Sequence, residues 1–283
     1  MTEQRIPIIA VIGPTASGKS ARAISLAKEL GSEVISVDSR QVYRTLDIGT
    51  EKLTTEEMQG VVHHLIDVRE PEEVYSAGDF VSDARTIIAD LHRQGKKAVL
   101  AGGTHFYFDA LLYGLPEIQS DPIIRAELET LPTAELFARI SAKDPRRAQM
   151  LDPHNRRRLV RAAEMIALHG SVPERQRTNA AYDVEWVVID PPKEELRPRI
   201  EARLQQALDR GLIDEVRRTR DRVGDTRLTE LGLEYRVVGE YLRGERSEDS
   251  LLGALSVKLW HYAREQKKWL RKLTEASPLP DKS

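Results

Sequence analysis

Gly13, Gly18, Lys19 and Ser20 stand at the spacing G-x-x-x-x-G-K-[ST] within the run Gly13-Pro14-Thr15-Ala16-Ser17-Gly18-Lys19-Ser20. These residue types suit one task, holding a di- or triphosphate. The two glycines let the backbone wrap an anion with its N–H groups turned inward, and a helix starting near Lys19 adds the positive end of its dipole. Lys19 reaches a terminal phosphate, and the Ser20 hydroxyl is the expected ligand for the Mg²⁺ that such phosphates carry. Farther along, Asp38 ends the apolar run Glu33-Val34-Ile35-Ser36-Val37 and is followed by Ser39-Arg40-Gln41. Two roles are open to its carboxylate: a place in the Mg²⁺ shell, or removal of a proton from a nucleophile. A cap on the next turn is the plain structural alternative.

The elements that must position these groups are readable from periodicity. Five apolar residues, Ile8–Ile12, form a strand that runs into the phosphate loop, and Ala21–Leu30 has helical spacing that ends at Gly31. Asp38 closes a second strand; strand ends in parallel sheets face the ligand crevice, so it is expected beside the loop. A helix over Asp79–Leu91 and a third buried strand, Ala98–Ala101, follow. That strand ends in Gly102-Gly103-Thr104, with one hydroxyl and no acid, which leaves Asp38 as the strand-end carboxylate. Between 119 and 180 prolines 122, 132, 145, 153 and 173 break the β/α rhythm into short helical patterns, the best opening at Asp152-Pro153 and closing at Gly170. Val184–Ile189 then returns as a strand. A last helix spaces Leu252, Leu255, Leu259, Tyr262, Gln266, Trp269 and Leu273 along one seam. The expectation is an α/β fold: a P-loop NTPase-like parallel sheet core (1–118 and 181–276), a helical insertion domain (119–180) and a disordered tail (277–283).

Composition narrows the class. The 283 residues are 40% apolar, enough for a real core, and include no cysteine, which excludes disulfides, thiolate metal sites and cysteine nucleophiles. The opening MTEQRIP has no apolar h-region and no run of eighteen apolar residues occurs, so a soluble, cytoplasmic protein without membrane contact is expected. Net charge is −2, yet residues 139–177 hold ten Lys/Arg against four Asp/Glu and residues 256–275 hold six against two. Such segregation is the footprint of nucleic-acid binding on one face. Arg157 and Arg161, four apart on one helix, suit RNA phosphates or a phosphorylated small molecule equally.

Several longer runs narrow the choice. Ser36–Lys52 (SVDSRQVYRTLDIGTEK) after GPTASGKS resembles the tRNA dimethylallyltransferases, and the likeness continues through HHLIDV (63–68), YSAGDF (75–80), AGGTHFY (101–107), DPHNRRRLVRAAE (152–164) and GLIDEV (211–216). Thr45 and Glu51 stand where that family more often shows Gly and Ala, and LGLEY (231–235) replaces a commoner Ile-Gly-Tyr type of segment. The resemblance implies a Mg²⁺-dependent transferase, acting as a monomer, that moves a dimethylallyl group from dimethylallyl diphosphate to the N6 amine of the adenosine 3′ to the anticodon. It implies catalytic roles for Asp38 and Thr104. It also implies contacts with the tRNA anticodon stem-loop at Asp38, Ser39, Arg40, Gln41, Thr104, Arg125 and Arg157-Arg158-Leu159-Val160-Arg161. Two other classes share parts of the pattern. One is an ATP-binding small-molecule kinase with the insertion as lid, and the other an RNA-binding module whose loop senses nucleotide.

Overall fold

In the computed structural model, which describes residues 5–115, 120–173 and 181–275, the chain packs as two compact units, Met1–Tyr113 with Thr178–Ser283, and Gly114–Arg177. The tail from 277 onward lies outside the described residues.

The first unit is built on a parallel sheet. Strand β1 (Ile6–Ile12) is its centre, with Ile8–Ile12 no more than 2% exposed, because both faces of a parallel sheet are covered and an unbroken apolar run is what such a strand needs. Helix α1 (Lys19–Glu29), β2 (Val34–Ser36), β3 (His63–His64), α2 (Ala77–Arg93), β4 (Ala98–Gly102) and α3 (His105–Tyr113) follow, and after the second unit the sheet is completed by β5 (Tyr182–Val188). Strand order is β3-β2-β4-β1-β5 and every pairing is parallel, with Ile9 opposite Val99 on one side and Glu185 on the other. Two-residue β3 was not expected; it is too short to show any alternation and hydrogen-bonds only at the sheet edge. Helix α2 opens on a reciprocal cap: Ser76 Oγ accepts from Asp79 N at 3.2 Å and Ser76 N donates to Asp79 Oδ2 at 2.8 Å, so the run YSAGDF is a helix start.

The second unit consists of α4 (Pro122–Thr130), α5 (Thr133–Lys143), α6 (Pro145–Ala148) and α7 (Arg156–His169) around Leu128, Leu136, Ile140, Leu159, Ala162 and Met165. Its best helix begins later than Asp152-Pro153 suggests. The Asp152 carboxylate accepts from His154 N at 2.9 Å and makes a turn, and Asn155 caps α7 by accepting from Arg158 N at 3.2 Å. Gly170, at φ 80°, closes it as expected.

Four helices complete the first unit: α8 (Lys193–Asp209), α9 (Leu212–Glu230, broken at Gly224, φ 73°, ψ 170°), α10 (Leu233–Leu242) and α11 (Leu251–Glu275). Pro198 lies inside α8 and not in its first turn. The buried seam of α11 is Leu251, Leu255, Leu259, Ala263, Gln266 and Leu270; Tyr262, expected in that seam, is instead 45% exposed. No described helix is long and apolar enough to cross a membrane.

Candidate active site

The phosphate loop joins β1 to α1 in a shape its residues make obligatory. A Cβ on Gly13 would lie 2.4 Å from the Ile189 carbonyl, and Gly18 caps α1 at φ 91°, so neither position admits a side chain without strain. Ala16 takes φ 59° between them. Ser17 Oγ is buried within this loop and has no partner, as a hydroxyl waiting for an anion would be, while Ser20 is exposed in the first turn of α1. Lys19 Nζ donates to Pro14 O at 2.6 Å; burial draws its ammonium down to about 8, against the pull of Asp38, with Arg203 adding to the lowering.

Thr15, at the tip of the loop, is held from far away. Its N–H donates to Gln266 Oε1 at 2.8 Å and its hydroxyl accepts from Arg203 Nη1 at 2.5 Å. Arg203 is in turn 3.4 Å from Glu51 and 3.8 Å from Glu234. Burial raises both carboxyls above their ordinary values, and Arg203 opposes that shift in each.

Asp38 follows β2. Its Oδ1 accepts from Arg40 N at 2.8 Å and Gln41 N at 3.3 Å, which fastens the carboxylate to its own turn, and Oδ2 takes no donor among the described residues. The capping alternative and the chemical one therefore use different oxygens. Thr104, after β4, accepts from Ser39 N at 3.0 Å, and its own N–H donates to Val37 O at 3.1 Å, so the ends of β2 and β4 are stitched side by side. Gly102 permits this: a Cβ there would meet Val37 O at 2.1 Å. Gln41 accepts from Ser36 Oγ at 3.0 Å and donates to the carbonyls of Thr50 and Glu51 at 3.2 Å, fixing the turn against the segment beyond it.

These residues share one cleft of about 700 Å³, lined by the phosphate loop from Thr15 to Ser20, by Asp38–Gln41 and by Gly102–Thr104. Its far wall comes from residues that the sequence did not single out for chemistry: Arg203, Glu234, Lys258, His261 and Tyr262. Although Tyr262 is part-exposed as a residue, the desolvation of its hydroxyl in the wall of the cleft, and then the nearby charge of Asp38, push that hydroxyl up to about 12. Elimination by strand ends alone was incomplete. Asp67 and Asp190 also follow strands, but they are bound by Lys52 at 2.6 Å and Lys267 at 2.7 Å, and neither lines the cleft. His105 is buried and neutral, lowered to about 4 by burial and then by Lys19, and its Nδ1 is 2.9 Å from Gly103 O.

A residue of the run GLIDEV, to which sequence reasoning assigns no role, holds the segment Asp47–Gly49 in place. Glu215, from GLIDEV, is 4% exposed and accepts from the N–H groups of Asp47, Ile48 and Gly49 at 2.9, 2.7 and 2.9 Å and from Tyr235 Oη at 2.6 Å. Gly49 is required there, since a Cβ would lie 2.8 Å from the Tyr235 ring.

In the helical unit the positions expected to meet RNA divide. Arg157 and Arg158 are exposed and have no carboxylate partner among the described residues. Arg161 is bound to buried Glu164 at 2.6 Å, and Arg125 to Glu129 at 3.0 Å. Leu159 and Val160, at 0% and 3% exposure, are core residues that support α7 and present no side chain to a ligand. Arg156, not singled out, donates to the carbonyls of Leu131 and Glu129 at 2.7 and 2.5 Å and closes the end of α4.

Comparison with known proteins agrees with this architecture over nearly its full length. The chain is 39% identical over 277 residues to tRNA dimethylallyltransferase 1 of Citrifermentans bemidjiense, covering 95% of this chain and 90% of that one, and 39% identical to the tRNA dimethylallyltransferase of Anaeromyxobacter sp., covering 94% and 90%. Among solved structures it is similar to the full-length tRNA isopentenylpyrophosphate transferase of Bacillus halodurans (TM-score 0.70, 36% identity, 94% of this chain and 87% of that one). It is also similar to a eukaryotic dimethylallyltransferase acting on tRNA (TM-score 0.80, 25% identity, 94% and 70%). The sequence model of the IPP transferase family matches residues 41–273, and this chain belongs to that family.

Proposed function

We propose that this protein transfers the dimethylallyl group of dimethylallyl diphosphate to the N6 amine of the adenosine 3′ to the anticodon of tRNA, releasing diphosphate. The observation that carries the reading is a single cleft in which a free carboxylate oxygen, Asp38 Oδ2, shares the space with a complete phosphate loop, while the neighbouring strand end is Gly102-Gly103-Thr104 and carries no acid. A phosphate loop recognises a diphosphate and not a base, so the cradle that serves nucleotides elsewhere suits a prenyl diphosphate equally.

The step follows from what the residues can do. N6 attacks the first carbon of the dimethylallyl group, the carbon–oxygen bond to diphosphate breaks, and the proton leaving N6 passes to Asp38 Oδ2. Charge grows on the departing diphosphate. The N–H groups of the loop beyond Thr15, Ser17 Oγ, Lys19 and Arg203 would be donors for that charge, and donors held in advance need no reorganisation as it develops. Thr104 keeps the Asp38 turn in register through Ser39 N–H. The exposed Ser20 hydroxyl would hold Mg²⁺ together with phosphate oxygens, a hard-oxygen set with few protein ligands that suits this ion and would further neutralise the leaving group. The target base leaves the anticodon-loop stack to enter the cleft, at a cost that is small for single-stranded RNA. Arg157 and Arg158, exposed and without a carboxylate partner among the described residues, are the side chains of α7 that would meet RNA phosphates.

Incubation of the protein with radiolabelled dimethylallyl diphosphate, Mg²⁺ and unmodified tRNA tests the reading. Label is expected in tRNA at the adenosine beside the anticodon. Transfer of phosphate from ATP to a small acceptor, with no label in RNA, would replace this reading with that of a kinase.

A further inference from the structure

Among the described residues, the buried seam of α11 contains one polar side chain. Gln266 is 5% exposed among Leu251, Leu255, Leu259, Ala263 and Leu270, where a buried amide is costly unless both ends are bonded and where an apolar side chain of similar size would pack as well. Both ends are bonded, and to the active site: Oε1 accepts from Thr15 N in the phosphate loop at 2.8 Å, and Nε2 donates to Gly103 O at the end of β4 at 3.0 Å. The approach is close: a Cβ at Gly103 would stand 2.5 Å from Nε2, so a side chain there would push the Gln266 amide out of this position. Gln266 thus spans the phosphate loop and the residue before Thr104, across 251 and 163 positions of sequence. Its helix neighbours Tyr262 and His261 line the same cleft.

We propose that Gln266 is a positioning residue for the prenyl donor. It sets the spacing between the phosphate loop and the Gly103-Thr104 strand end and ties that spacing to the helix that forms the opposite wall. The inference rests on the prenyl-transfer reading for the identity of the donor, but the tether itself does not. Amide geometry is what matters here, because only a side chain with an acceptor and a donor in one plane serves Thr15 N–H and Gly103 C=O together.

Two variants of the full-length protein test it. Gln266→Met keeps volume and removes both bonds. The Thr15 amide is expected to lose its protection from hydrogen exchange, and the Kd for dimethylallyl diphosphate to rise roughly tenfold, with thermal stability close to native. Gln266→Glu guards against a folding defect in the first variant. As a neutral acid it repeats both bonds, the carbonyl oxygen accepting from Thr15 N and the O–H donating to Gly103 O; once ionised it has no donor for that carbonyl. Position 266 is buried, which disfavours the charged form of a carboxyl and moves its ionisation above the ordinary glutamate range, so donor affinity of Gln266→Glu relative to native is expected to be highest at acid pH and to fall as pH rises towards 7.5, a dependence that a purely structural role does not produce. Retained protection at Thr15, unchanged donor affinity in Gln266→Met, or a flat ratio in Gln266→Glu each overturns the inference. If the native chain itself fails to bind dimethylallyl diphosphate while Thr15 exchange still responds to Gln266→Met, the prenyl-transfer reading is what has failed, and the donor role of Gln266 falls with it.

Discussion

Among the described residues, every non-glycine residue in the left-handed region, namely Ala16, Thr45, Glu51, Gln59, Leu65 and Asp67, lies in the loops that follow β1, β2 and β3, and none lies in the helical unit. The two regions are stabilised by different means. The helical unit caps the starts of three helices locally, Asp121 on α4, Asp144 on α6 and Asn155 on α7, each reaching two or three residues ahead, and its longer ties, Arg156 on the end of α4 and Glu164 on Ser120 and Asp121, span no more than 44 positions. In the strand-end loops, side chains from distant helices fasten segments that neighbour left-handed residues: Glu215 on Asp47–Gly49, between Thr45 and Glu51, Gln266 and Arg203 on Thr15, beside Ala16, and Arg227 on Pro71 O at 2.9 Å. Backbone strain persists only where the surroundings over-determine it, and two of these residues, Ala16 and Glu51, line the cleft.

The strongest way to break this contrast is at the carboxylate itself. Asp38→Asn keeps the Oδ1 bonds to Arg40 N and Gln41 N and removes the basic oxygen, so the single-turnover rate is expected to fall by roughly 10²–10⁴ with donor affinity retained. Loss of Mg²⁺-dependent donor binding with chemistry spared would move Asp38 into the metal shell instead. Next in size are the two buried glutamates that serve as fasteners, one in each region. Glu215→Ala leaves Gly49 N and Tyr235 Oη without an acceptor in a closed interior and is expected to lower stability by about 3 kcal/mol. Glu164 is also fully buried and accepts from Ser120 Oγ at 2.5 Å, Asp121 N at 3.0 Å and Arg161. Ser120 is exposed and Arg161 half-buried, so their donors can turn to water, and Glu164→Ala is expected to cost about half as much. Denaturant titrations of both variants that gave equal losses would erase the distinction.

Lys19 sharpens it through pH. Its ammonium titrates near 8, so the free protein loses the charge as pH rises through that value, and donor affinity, full below 8, is expected to fall about tenfold per unit above it. Stability has the opposite sign over the same window, because the unfolded chain holds this proton up to about 10.4 and native Lys19 does not. Donor binding that stays level from pH 7 to 9.5 would remove Lys19 from the cradle. The helical unit supplies the complementary test. Arg157→Ala with Arg158→Ala is expected to weaken tRNA binding similarly across tRNA sequences and to flatten the plot of log K against log salt by about 0.7–0.9 for each RNA phosphate the protein no longer neutralises. Donor affinity should not move. Arg161→Ala acts differently, because it removes a partner of buried Glu164 and is expected to lower stability. A salt slope unaltered in the double variant would exclude these arginines from RNA binding.

What could be read beforehand divides along the same line. The phosphate loop, Asp38 and Thr104 are local signals: a spacing, an apolar run and the residue at its end. The parallel sheet followed from the same runs, apart from β3, whose two residues carry no pattern. Gln266, Arg203 and Glu215 act across 150 residues or more, and a glutamine in an apolar seam or an arginine on a helix looks the same in sequence whether it meets solvent or the tip of a phosphate loop. Charge counting overstates the number of free cations for a related reason. Arg156 closes a helix end and Lys267 neutralises Asp190 at 2.7 Å, so neither is free for phosphates, and composition does not record such pairings.

The smallest expected effect tests whether the strain in these loops serves the site or merely survives there. Thr45 is exposed at φ 65°, a conformation that costs a residue with a Cβ about 1–2 kcal/mol and is least suited to a β-branched side chain. Its hydroxyl makes only a long contact, 3.4 Å from Arg222 Nη1, and Arg222 is anchored independently on Glu70 and Glu72 at 3.0 Å. Replacing it with glycine removes the Cβ penalty and returns part of the gain as extra freedom of the unfolded chain, about 0.5–1 kcal/mol. Thr45→Gly is therefore expected to raise stability by up to about 1 kcal/mol, and Thr45→Ala, which keeps the Cβ, to bring no gain. The kinetic outcome then decides the meaning of the contrast. Unchanged turnover in a more stable Thr45→Gly protein places the strain at this position outside the mechanism and leaves Glu215 as a fastener for the backbone alone. A stabilised variant with slower transfer would mean that the left-handed turn at Thr45 helps to set the position of the segment from Asp47 to Glu51, and through Gln41 that of Asp38.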